Sequence, residues 1–379
     1  MEPKVRFKGF SGEWNVYTIG DIAPVMGGYA FQSEQFSNSG IAIVRISNIL
    51  DTGIIGGDFV KYNIFTGDTS FRLYSGDILI AMSGATTGKV AIVKTDKFLY
   101  QNQRVGKFSR TDKINYSFLA SIVGSNKFRL ELNKRLTSSA QPNASSRDID
   151  SIQQYLPNDI IEQGTIASFF SSIDSTIISS AKKLASLKKL KSASLVAMFP
   201  QNGESMPKVR FKGFEGEWKR HTLYDVLKIN SGKDYKHLES GNIPVYGTGG
   251  YMLSVNDSLS NLDAIGIGRK GTIDKPQYLK APFWTVDTLF FLTKKNNDNL
   301  FFLYNLVQNI NWKKYDESTG VPSLSKNNME RVEIHMPNLA EQQAIATFFR
   351  SLDRKIALET ARLEKLKQIK LACLDKMFV

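Results

Sequence analysis

The sequence predicts an α+β protein in which two globular domains are separated by two long helices. We expect those helices to form an antiparallel coiled coil with a pseudo-two-fold circular repeat. Three observations lead to this fold: a duplicated twelve-residue block, a duplicated helical segment, and two unlike stretches between them. A chain of 379 residues with 42% hydrophobic content is long enough for two domains with separate cores.

The twelve-residue block is the first duplication. Pro3–Trp14 reads PKVRFKGFSGEW and Pro207–Trp218 reads PKVRFKGFEGEW, so that only Ser11 and Glu215 differ. Chance does not produce such agreement. An internal repeat of this kind indicates that one structural unit occurs twice.

The helical segment is the second duplication. Glu162–Phe170 (EQGTIASFF) returns as Glu341–Phe349 (EQQAIATFF), 179 residues later. The same spacing matches Asp174 with Asp353, Leu184 with Leu363, Leu187 with Leu366, and Met198–Phe199 with Met377–Phe378.

The two halves are circularly equivalent. Met198–Phe199 continues into the second twelve-residue block, whereas Met377–Phe378 is followed only by Val379. The block that would continue the second half stands at the N-terminus instead. This order predicts a pseudo-two-fold ring whose termini lie close together.

Apolar residues in both duplicated segments recur mostly three or four positions apart, as from Ile166 to Met198 and from Ile345 to Met377. Pro157 and Pro337 precede them, where helix starts tolerate proline. A helix of about 35 residues is roughly 50 Å long. The narrow apolar stripe favours packing against one partner helix. The alternative is that each helix packs on its own domain as ordinary core.

The first helical segment carries a basic run. Its lysines either face DNA phosphates or form a solvated face, which is the more common role of such runs. They are Lys182, Lys183, Lys188, Lys189 and Lys191.

Between the duplicated segments, residues 15–140 and 219–318 share little. Both are rich in strands and turns, and each predicts an α+β domain with a small twisted sheet. A short likeness links Pro142–Ser145 to Pro322–Ser325. The predicted boundaries are 1–156 and 204–336 for the two domains, and 157–203 and 337–379 for the helical spacers.

Composition limits the classes of function. Forty-nine Lys and Arg against 36 Asp and Glu give a charge of +13 and indicate nucleic acid or an anionic membrane as partner. The single Cys373 suits a reducing cytoplasm, where we expect the protein to act. The longest apolar run, Phe301–Val307, is too short to span a bilayer, so we expect no membrane partner.

No motif indicates catalysis or a bound cofactor. Gly84–Lys89 resembles a phosphate loop but has three residues between its glycines instead of four, and Val90 stands where Ser or Thr is needed. The three histidines and one cysteine form no cluster with zinc-ligand spacing. We therefore expect no catalytic residue, no metal site and no cofactor in this chain.

Glycine-rich turns beside basic and amide side chains are the candidate binding sites. Such turns bring backbone amides close to phosphates while Arg, Lys, Asn and Gln reach base edges in the major groove. The alternative is that the glycines serve only tight turns. The candidate DNA contacts are Arg45, Asn48, Ser83, Thr86, Lys89, Gln103, Arg104, Thr248, Arg269, Lys270, Thr272 and Lys326.

Over essentially its whole length the chain resembles the specificity subunits of type I restriction–modification systems. The resemblance rests on the twin blocks ending at Trp14 and Trp218 and on the twin helix starts Glu-Gln-x-x-Ile-Ala-x-Phe-Phe-x-Ser-x-Asp at Glu162 and Glu341. GDILIAMSGATTGKVAIV, from Gly76, and IGRKGTIDKPQYL, from Ile267, also resemble the target recognition domains of that family.

The resemblance implies that each domain reads one half of an asymmetric, bipartite double-stranded DNA site. The helices would set the spacing and dock two methyltransferase subunits, which methylate adenine with S-adenosylmethionine. Two restriction subunits, which translocate and cleave unmodified DNA with ATP and magnesium, can join them. The candidate partner contacts are Phe169, Phe170, Phe348 and Phe349.

Two other classes of function compete with this interpretation. One is an enzyme that cuts or methylates DNA alone, which activity of the isolated chain would favour. The other is a scaffold whose domains bind protein, which salt-dependent DNA binding would argue against. The physical layout favours a DNA reader, because two unlike domains in one chain suit an asymmetric site whereas a homodimer suits a palindrome.

Overall fold

A computed structural model describes residues 1–65, 67–136, 142–201 and 204–379. The chain forms two compact units. The first unit comprises Met1–Lys182 and Ala361–Val379, and the second comprises Lys183–Thr360. Each unit therefore combines a globular domain with one part of each long helix.

The described residues of the first unit form ten strands. They form a sheet of order β2-β9-β6-β7, a sheet of order β4-β3-β8-β5 and the antiparallel pair β1-β10. The strands are β1 (Asn15–Thr18), β2 (Val25–Gly27), β3 (Ile41–Val44), β4 (Lys61–Tyr62), β5 (Arg72–Leu73), β6 (Ile78–Ala81), β7 (Val90–Ile92), β8 (Leu99–Gln101), β9 (Val105–Phe108) and β10 (Gln153–Leu156).

Among the residues that the structure describes, four shorter helices precede the first unit's part of the first long helix. They are α1 (Ile19–Ile22), α2 (Tyr116–Val123), α3 (Asn126–Arg135) and α4 (Ser146–Asp150), and the long helix is α5 (Ile160–Ala197). Single 3₁₀ turns span Ser33–Gln35, Ile46–Asn48, Asp68–Phe71 and Gly84–Thr86.

The second unit has a sheet of order β12-β18-β15-β16, a sheet of order β14-β13-β17 and the pair β11-β19. Its strands are β11 (Lys219–Thr222), β12 (Leu227–Ser231), β13 (Ser240–Gly247), β14 (Gly250–Val255), β15 (Ala264–Gly268), β16 (Gln277–Leu279), β17 (Trp284–Thr285), β18 (Leu289–Lys294) and β19 (Glu333–Met336). Its helices are α6 (Leu223–Val226), α7 (Leu300–Gln308), α8 (Lys326–Glu330) and its part of α9 (Leu339–Met377), with a 3₁₀ turn at Trp312–Tyr315.

The α+β class is confirmed, but the expectation of one small sheet per domain is wrong. Each domain has two sheets besides its two-stranded pair. The reason is visible where β8 ends at Gln101 and β9 begins at Val105, because the chain turns between them and the two strands join different sheets.

The two long helices run antiparallel in each unit. In the first unit the Lys370 ammonium lies 2.5 Å from the Asp174 carboxylate, and Phe170 packs on Phe378. In the second unit the Lys191 ammonium lies 2.6 Å from the Asp353 carboxylate. Asp174 and Asp353, which match in the repeat, thus each form an ion pair with a lysine of the other long helix.

The helices also contribute to the domain cores, so the two packing arrangements considered from sequence coexist. In the first unit Phe170 shares a buried cluster with Trp14 and Phe118 of the domain. In the second unit Phe349 does the same with Trp218. The ends of the long helices are buried in these cores as well: Leu374 and Met377 of α9 belong to the first cluster, and Met198, next to the end of α5, belongs to the second.

The duplicated block and the duplicated helix start bind each other through a buried ion pair. In the first unit the Arg6 guanidinium donates two hydrogen bonds to the Glu162 carboxylate, 2.7 and 2.8 Å long. In the second unit Arg210 donates to Glu341 at 2.6 and 2.7 Å. The pairing raises the pKa of both arginines. Because Glu162 is 1% exposed, this pair fixes where the block attaches.

The glutamine that follows each of these glutamates anchors a second helix. The Gln163 side-chain oxygen accepts from the backbone N–H of Asn115, the N-cap of α2, at 2.9 Å. Gln342 accepts from the N–H of Asn299, the N-cap of α7, at 3.0 Å. The shared Glu-Gln pair therefore joins three elements in each unit.

The circular equivalence predicted from sequence is confirmed within each unit. The Val209 N–H donates to the Ala197 carbonyl at 2.9 Å, where the chain continues from α5 into the block. The Val5 N–H donates to the Lys376 carbonyl at 3.1 Å, where no chain connects the two segments. The N-terminal block thus packs on the end of α9 as its copy packs on the end of α5.

Candidate nucleic-acid interface

Three of the glycine-rich loops selected from sequence meet in the first unit. They follow β3, follow β6 and join β8 to β9. The Met82 N–H donates to the Arg104 carbonyl at 3.0 Å, and the Asn102 N–H donates to the Val44 carbonyl at 3.1 Å. A Cβ added at Gly84 would stand 3.6 Å from the Ile46 side chain, so all three loops share one end of the sheets.

A short segment holds the loop after β6 in place. We call residues 142–145 the first strap. Its Pro142 carbonyl accepts from the Gly84 N–H at 3.1 Å, and its Ala144 N–H donates to the Met82 carbonyl at 2.8 Å. Ser83 and Asn143 form an isolated antiparallel bridge between these bonds.

The second unit repeats this backbone arrangement with residues 322–325, the second strap. The Gly271 N–H donates to the Pro322 carbonyl at 2.8 Å, and the Leu324 N–H donates to the Arg269 carbonyl at 2.9 Å. The Arg269 N–H donates in turn to the Thr288 carbonyl at 2.7 Å. The likeness of the two straps noted in the sequence thus marks the same hydrogen-bonding role.

Matching these bonds assigns structurally equivalent positions. Met82 corresponds to Arg269, and Ser83 corresponds to Lys270. Gly84 and Gly271 have positive φ angles of 72° and 87°, which favour glycine. The glycines therefore build one turn in both units, while the neighbouring positions carry different side chains.

Five of the predicted contacts form the first loop surface. Gln103 and Arg104 are exposed, whereas the others are half-buried. The Arg104 guanidinium donates to the Asn143 side-chain oxygen at 3.4 Å, which directs it along the first strap. The first loop surface consists of Arg45, Ser83, Thr86, Gln103 and Arg104.

Two predicted contacts of the first unit are engaged elsewhere. Asn48 is 1% exposed, and its amide group donates to the carbonyls of Gly56 and Asp58 at 3.0 Å. Asn48 is therefore a structural residue of its turn rather than a surface contact. The Lys89 ammonium lies 2.7 Å from the exposed Asp51 carboxylate. An asparagine in a turn can either stabilise the turn through hydrogen bonds to its backbone or contact a ligand from its surface. The sequence does not distinguish these two roles.

The remaining five predicted contacts form the second loop surface. Arg269, Lys270 and Lys326 are exposed and line one open groove. Thr248 lies beside the same turn, because a Cβ at Gly271 would stand 3.9 Å from its hydroxyl oxygen. The second loop surface consists of Thr248, Arg269, Lys270, Thr272 and Lys326.

Asp316, which the sequence did not single out, anchors the second strap. Its Oδ1 accepts hydrogen bonds from the backbone N–H groups of Ser323 and Ser318 at 2.9 and 3.0 Å, and these bonds lower the pKa of Asp316. The sequence also did not single out Asn143 and Thr288, which border the loop surfaces: the Asn143 side chain accepts from Arg104, and the Thr288 carbonyl accepts from the Arg269 N–H. The straps' likeness was the available signal for Asn143, and Thr288 had none.

The candidate partner-contact phenylalanines divide into two kinds. Phe170 and Phe349 are buried in the domain cores. Phe169 and Phe348 are half-buried and pack edge-on against Phe7 and Phe211. Phe169 and Phe348 are therefore the members of the set with surface to offer a partner.

Two lysines of the basic run serve the helix pair. Lys191 pairs with Asp353, and the Lys183 ammonium lies 2.8 Å from the Glu359 carboxylate on α9. Lys182, Lys188 and Lys189 are exposed. The run thus has a structural part and a solvated part.

In the described ranges, no three His, Cys, Asp or Glu side chains group closely enough to hold a metal ion. Among the same residues, the helices include none that is both long and apolar enough to cross a membrane.

Comparison with known proteins identifies the family. A family model described as "Type I restriction modification DNA specificity domain" matches residues 11–189 and 215–368, one copy in each half. The type I restriction enzyme MjaVIII specificity subunit of Methanocaldococcus jannaschii is 28% identical over 187 residues. That match covers 47% of this chain and 44% of the relative, which is less than half of either protein.

Two solved structures share the fold. The S subunit of a type I restriction–modification system from M. genitalium is 18% identical, with a TM-score of 0.72 over 100% of this chain and 99% of its own. A chain from a structure on complex assembly and conformational transition of a type I R-M system is 16% identical, with a TM-score of 0.55, covering 98% and 99%. With the matched model covering most of both halves, the chain belongs to the family of type I restriction–modification DNA specificity domains, of which it contains two copies.

Proposed function

We propose that this chain is the non-catalytic specificity subunit of a type I restriction–modification enzyme. The first loop surface reads one half of a bipartite duplex site and the second loop surface reads the other. Methylation and cleavage are carried out by partner subunits.

One observation carries the proposal: two loop surfaces share a backbone frame but differ in side chains. Sequence reading requires a fixed backbone position together with side chains that differ between targets. Ser83 and Arg104 occupy the frame in the first unit, where Lys270 and Thr288 occupy it in the second. Such a pair of surfaces suits two unlike half-sites.

Charge supports DNA as the ligand. The chain carries a net charge of +13, and the exposed cations of the second groove suit contacts with phosphates. Binding of this kind weakens steeply as salt rises, by counterion release. A scaffold that binds only protein would not need this excess of positive charge.

The duplicated helix starts suit two copies of one partner. Phe169 and Phe348 occupy matching positions beside matching blocks, so each offers the same surface to an identical subunit. We infer that two methyltransferase subunits dock there and bring S-adenosylmethionine, and that restriction subunits bring ATP and magnesium. Helix α5, with 38 residues, is about 57 Å long and suits a spacer between the half-sites. We place the assembly in the cytoplasm, with the DNA.

A reciprocal pair of variants tests this function. We expect Arg104→Ala, in complex with the methyltransferase, to relax the first half-site alone and Arg269→Ala to relax the second alone. Loss of one base contact costs about 1–3 kcal/mol of discrimination. Sequencing of methylated adenines measures both half-sites in one experiment, and Lys228→Ala, exposed on β12, serves as a control. If both variants changed the same half-site, or neither did, the proposal would be wrong.

A further inference from the structure

The β13–β14 hairpin presents large apolar side chains to solvent. Tyr251 is 62% exposed and Met252 is 49% exposed, both on β14. Strand β14 is an edge of its three-stranded sheet. No residue between 240 and 255 is charged.

The hairpin register turns both side chains outward. Val245 pairs with Leu253 and Tyr246 pairs with Tyr251, which leaves Met252 as the extra residue of a β-bulge. A bulge redirects side chains that would otherwise alternate between faces. The Met252 sulfur lies over Gly247, where an added Cβ would approach it to 2.8 Å. Gly247 thus makes room for this placement.

An exposed, uncharged edge strand needs a cover. Proteins protect such edges with charges, prolines or other elements, because a free edge pairs with other chains. Here the edge carries an aromatic residue and a methionine instead. These side chains therefore indicate a contact surface.

The location of the hairpin identifies the kind of partner. The Gln277 side-chain N–H donates to the carbonyls of Gly247 and Thr248 at 2.9 and 3.2 Å, which ties the hairpin turn to β16. Thr248 lies beside Gly271, next to Arg269 and Lys270. The apolar face therefore continues the basic loop surface, and their combination suits duplex DNA.

In the first unit the corresponding strands, β3 and β4, also pair antiparallel, at Ile41–Tyr62 and Ala42–Lys61, but residues 45–60 connect them where β13 and β14 are joined by a tight turn. Strand β3 pairs in parallel with β8 at Val44 and Gln101, as β13 pairs with β17 at Tyr246 and Thr285. After Val44 the chain enters the 3₁₀ turn at Ile46–Asn48, whereas β13 leads into the hairpin. The tight turn and the longer β14 thus distinguish the second unit from the first at this position of their shared frame.

We propose that the β13–β14 hairpin enters the major groove of the second half-site and that Tyr251 and Met252 contact thymine methyl groups. The major groove is about 12 Å wide and admits a two-stranded ribbon, and apolar side chains recognise the thymine methyl there. This inference rests on the proposed function and assigns thymine recognition to the second unit.

Side-chain removal in the complete complex with methyltransferase subunits is the first test. Tyr251→Ala and Met252→Ala each lower discrimination at a T·A pair of the second half-site about tenfold. The first half-site and the melting temperature stay unchanged, since both residues are exposed. Leu262→Ala is the matched control, because Leu262 is 67% exposed in the same unit but lies outside the hairpin.

The outcomes separate this inference from the proposed function. If the double variant reads both half-sites as the parent chain does, the hairpin inference is overturned while the proposed function stands. If the double variant no longer assembles with the methyltransferase, the hairpin docks protein, and the inference is overturned as well. Loss of sequence preference in the parent complex itself would overturn the proposed function.

Modified DNA supplies a test that needs no variant. Replacing thymines of the second half-site one at a time by deoxyuridine removes only the methyl group. We expect at least one replacement to weaken binding by the parent complex severalfold and to have no further effect on the double variant. A second half-site without a T·A pair, or indifference to every replacement, overturns the inference.

Discussion

The two units share their backbone frame and their anchoring contacts but fill the space beside the long helices differently. In the second unit large side chains occupy it: Tyr278 packs on Tyr304, and the Arg350 guanidinium lies 4.5 Å from the Phe301 ring centre. In the first unit an open cavity of about 410 Å³ lies at the corresponding place. The equivalent residues are Ile92 for Tyr278, Ser117 for Phe301, Ala120 for Tyr304 and Ser171 for Arg350.

The comparison shows which contacts both copies of the repeat retain. Both units retain the Arg–Glu pair, the glutamine anchor and the strap, each of which fixes backbone position. The side chains around them vary, even in the interior. Burial and a hydrogen bond to Asp263 raise the pKa of Tyr278 to about 12, an environment that Ile92 does not reproduce. The frame is therefore independent of the particular residues packed on it.

The largest expected effect comes from breaking the shared ion pair. Glu162→Ala leaves the Arg6 guanidinium mostly buried without its carboxylate, which costs about 3 kcal/mol or more. We expect a similar loss for Glu341→Ala in the second unit, each confined to its own unit. Hydrogen exchange on the two units measures this, with the exposed Glu13→Ala as control. Unequal losses would contradict the equivalence of the frames.

The next largest effects on stability are expected from substitutions in the packed space of the second unit and in the cavity of the first. We expect Tyr304→Ala to destabilise the second unit by about 2 kcal/mol, since it removes packed aromatic surface. Ala120→Tyr adds a ring beside the cavity of the first unit and costs less than ~1 kcal/mol. Urea unfolding of both variants measures these changes in the free energy of unfolding. An equal loss from the two changes would mean that the cavity cannot accept a side chain.

The smallest effect belongs to the ion pairs between the long helices. Both pairs are partly exposed, so each contributes about 0.5–1 kcal/mol. Double-mutant cycles with Asp174→Asn and Lys370→Met, and with Asp353→Asn and Lys191→Met, measure the couplings. We expect the second pair to couple slightly more strongly, because Lys191 is less exposed than Lys370. Equal coupling energies for the two pairs at every salt concentration would contradict the expected effect of their different exposure.

Much of the fold could be predicted because repetition and periodicity are local properties of a sequence. The helix starts, the glycine turns and the circular order of the halves followed from residues that recur at fixed spacing. The pairing of Arg6 with Glu162 did not, although both stand in repeated blocks. They are 156 residues apart, and spacing does not state which charged residue faces which.

The candidate site shows the same division. Arg104 and Arg269 were predicted from their turns, whereas the burial of Asn48 depends on hydrogen bonds to Gly56 and Asp58, and the exposure of Tyr251 depends on the register of its hairpin.

The sequence alone establishes that one structural unit occurs twice, that its long helices carry a narrow apolar stripe, and that its turns hold basic side chains. The tertiary structure was needed to establish which loops share a surface, which polar groups are buried, and that a tight hairpin of the second unit corresponds to a longer connection in the first. The physical reason is that patterning depends on neighbours along the chain, whereas burial and pairing depend on the segments that folding brings together.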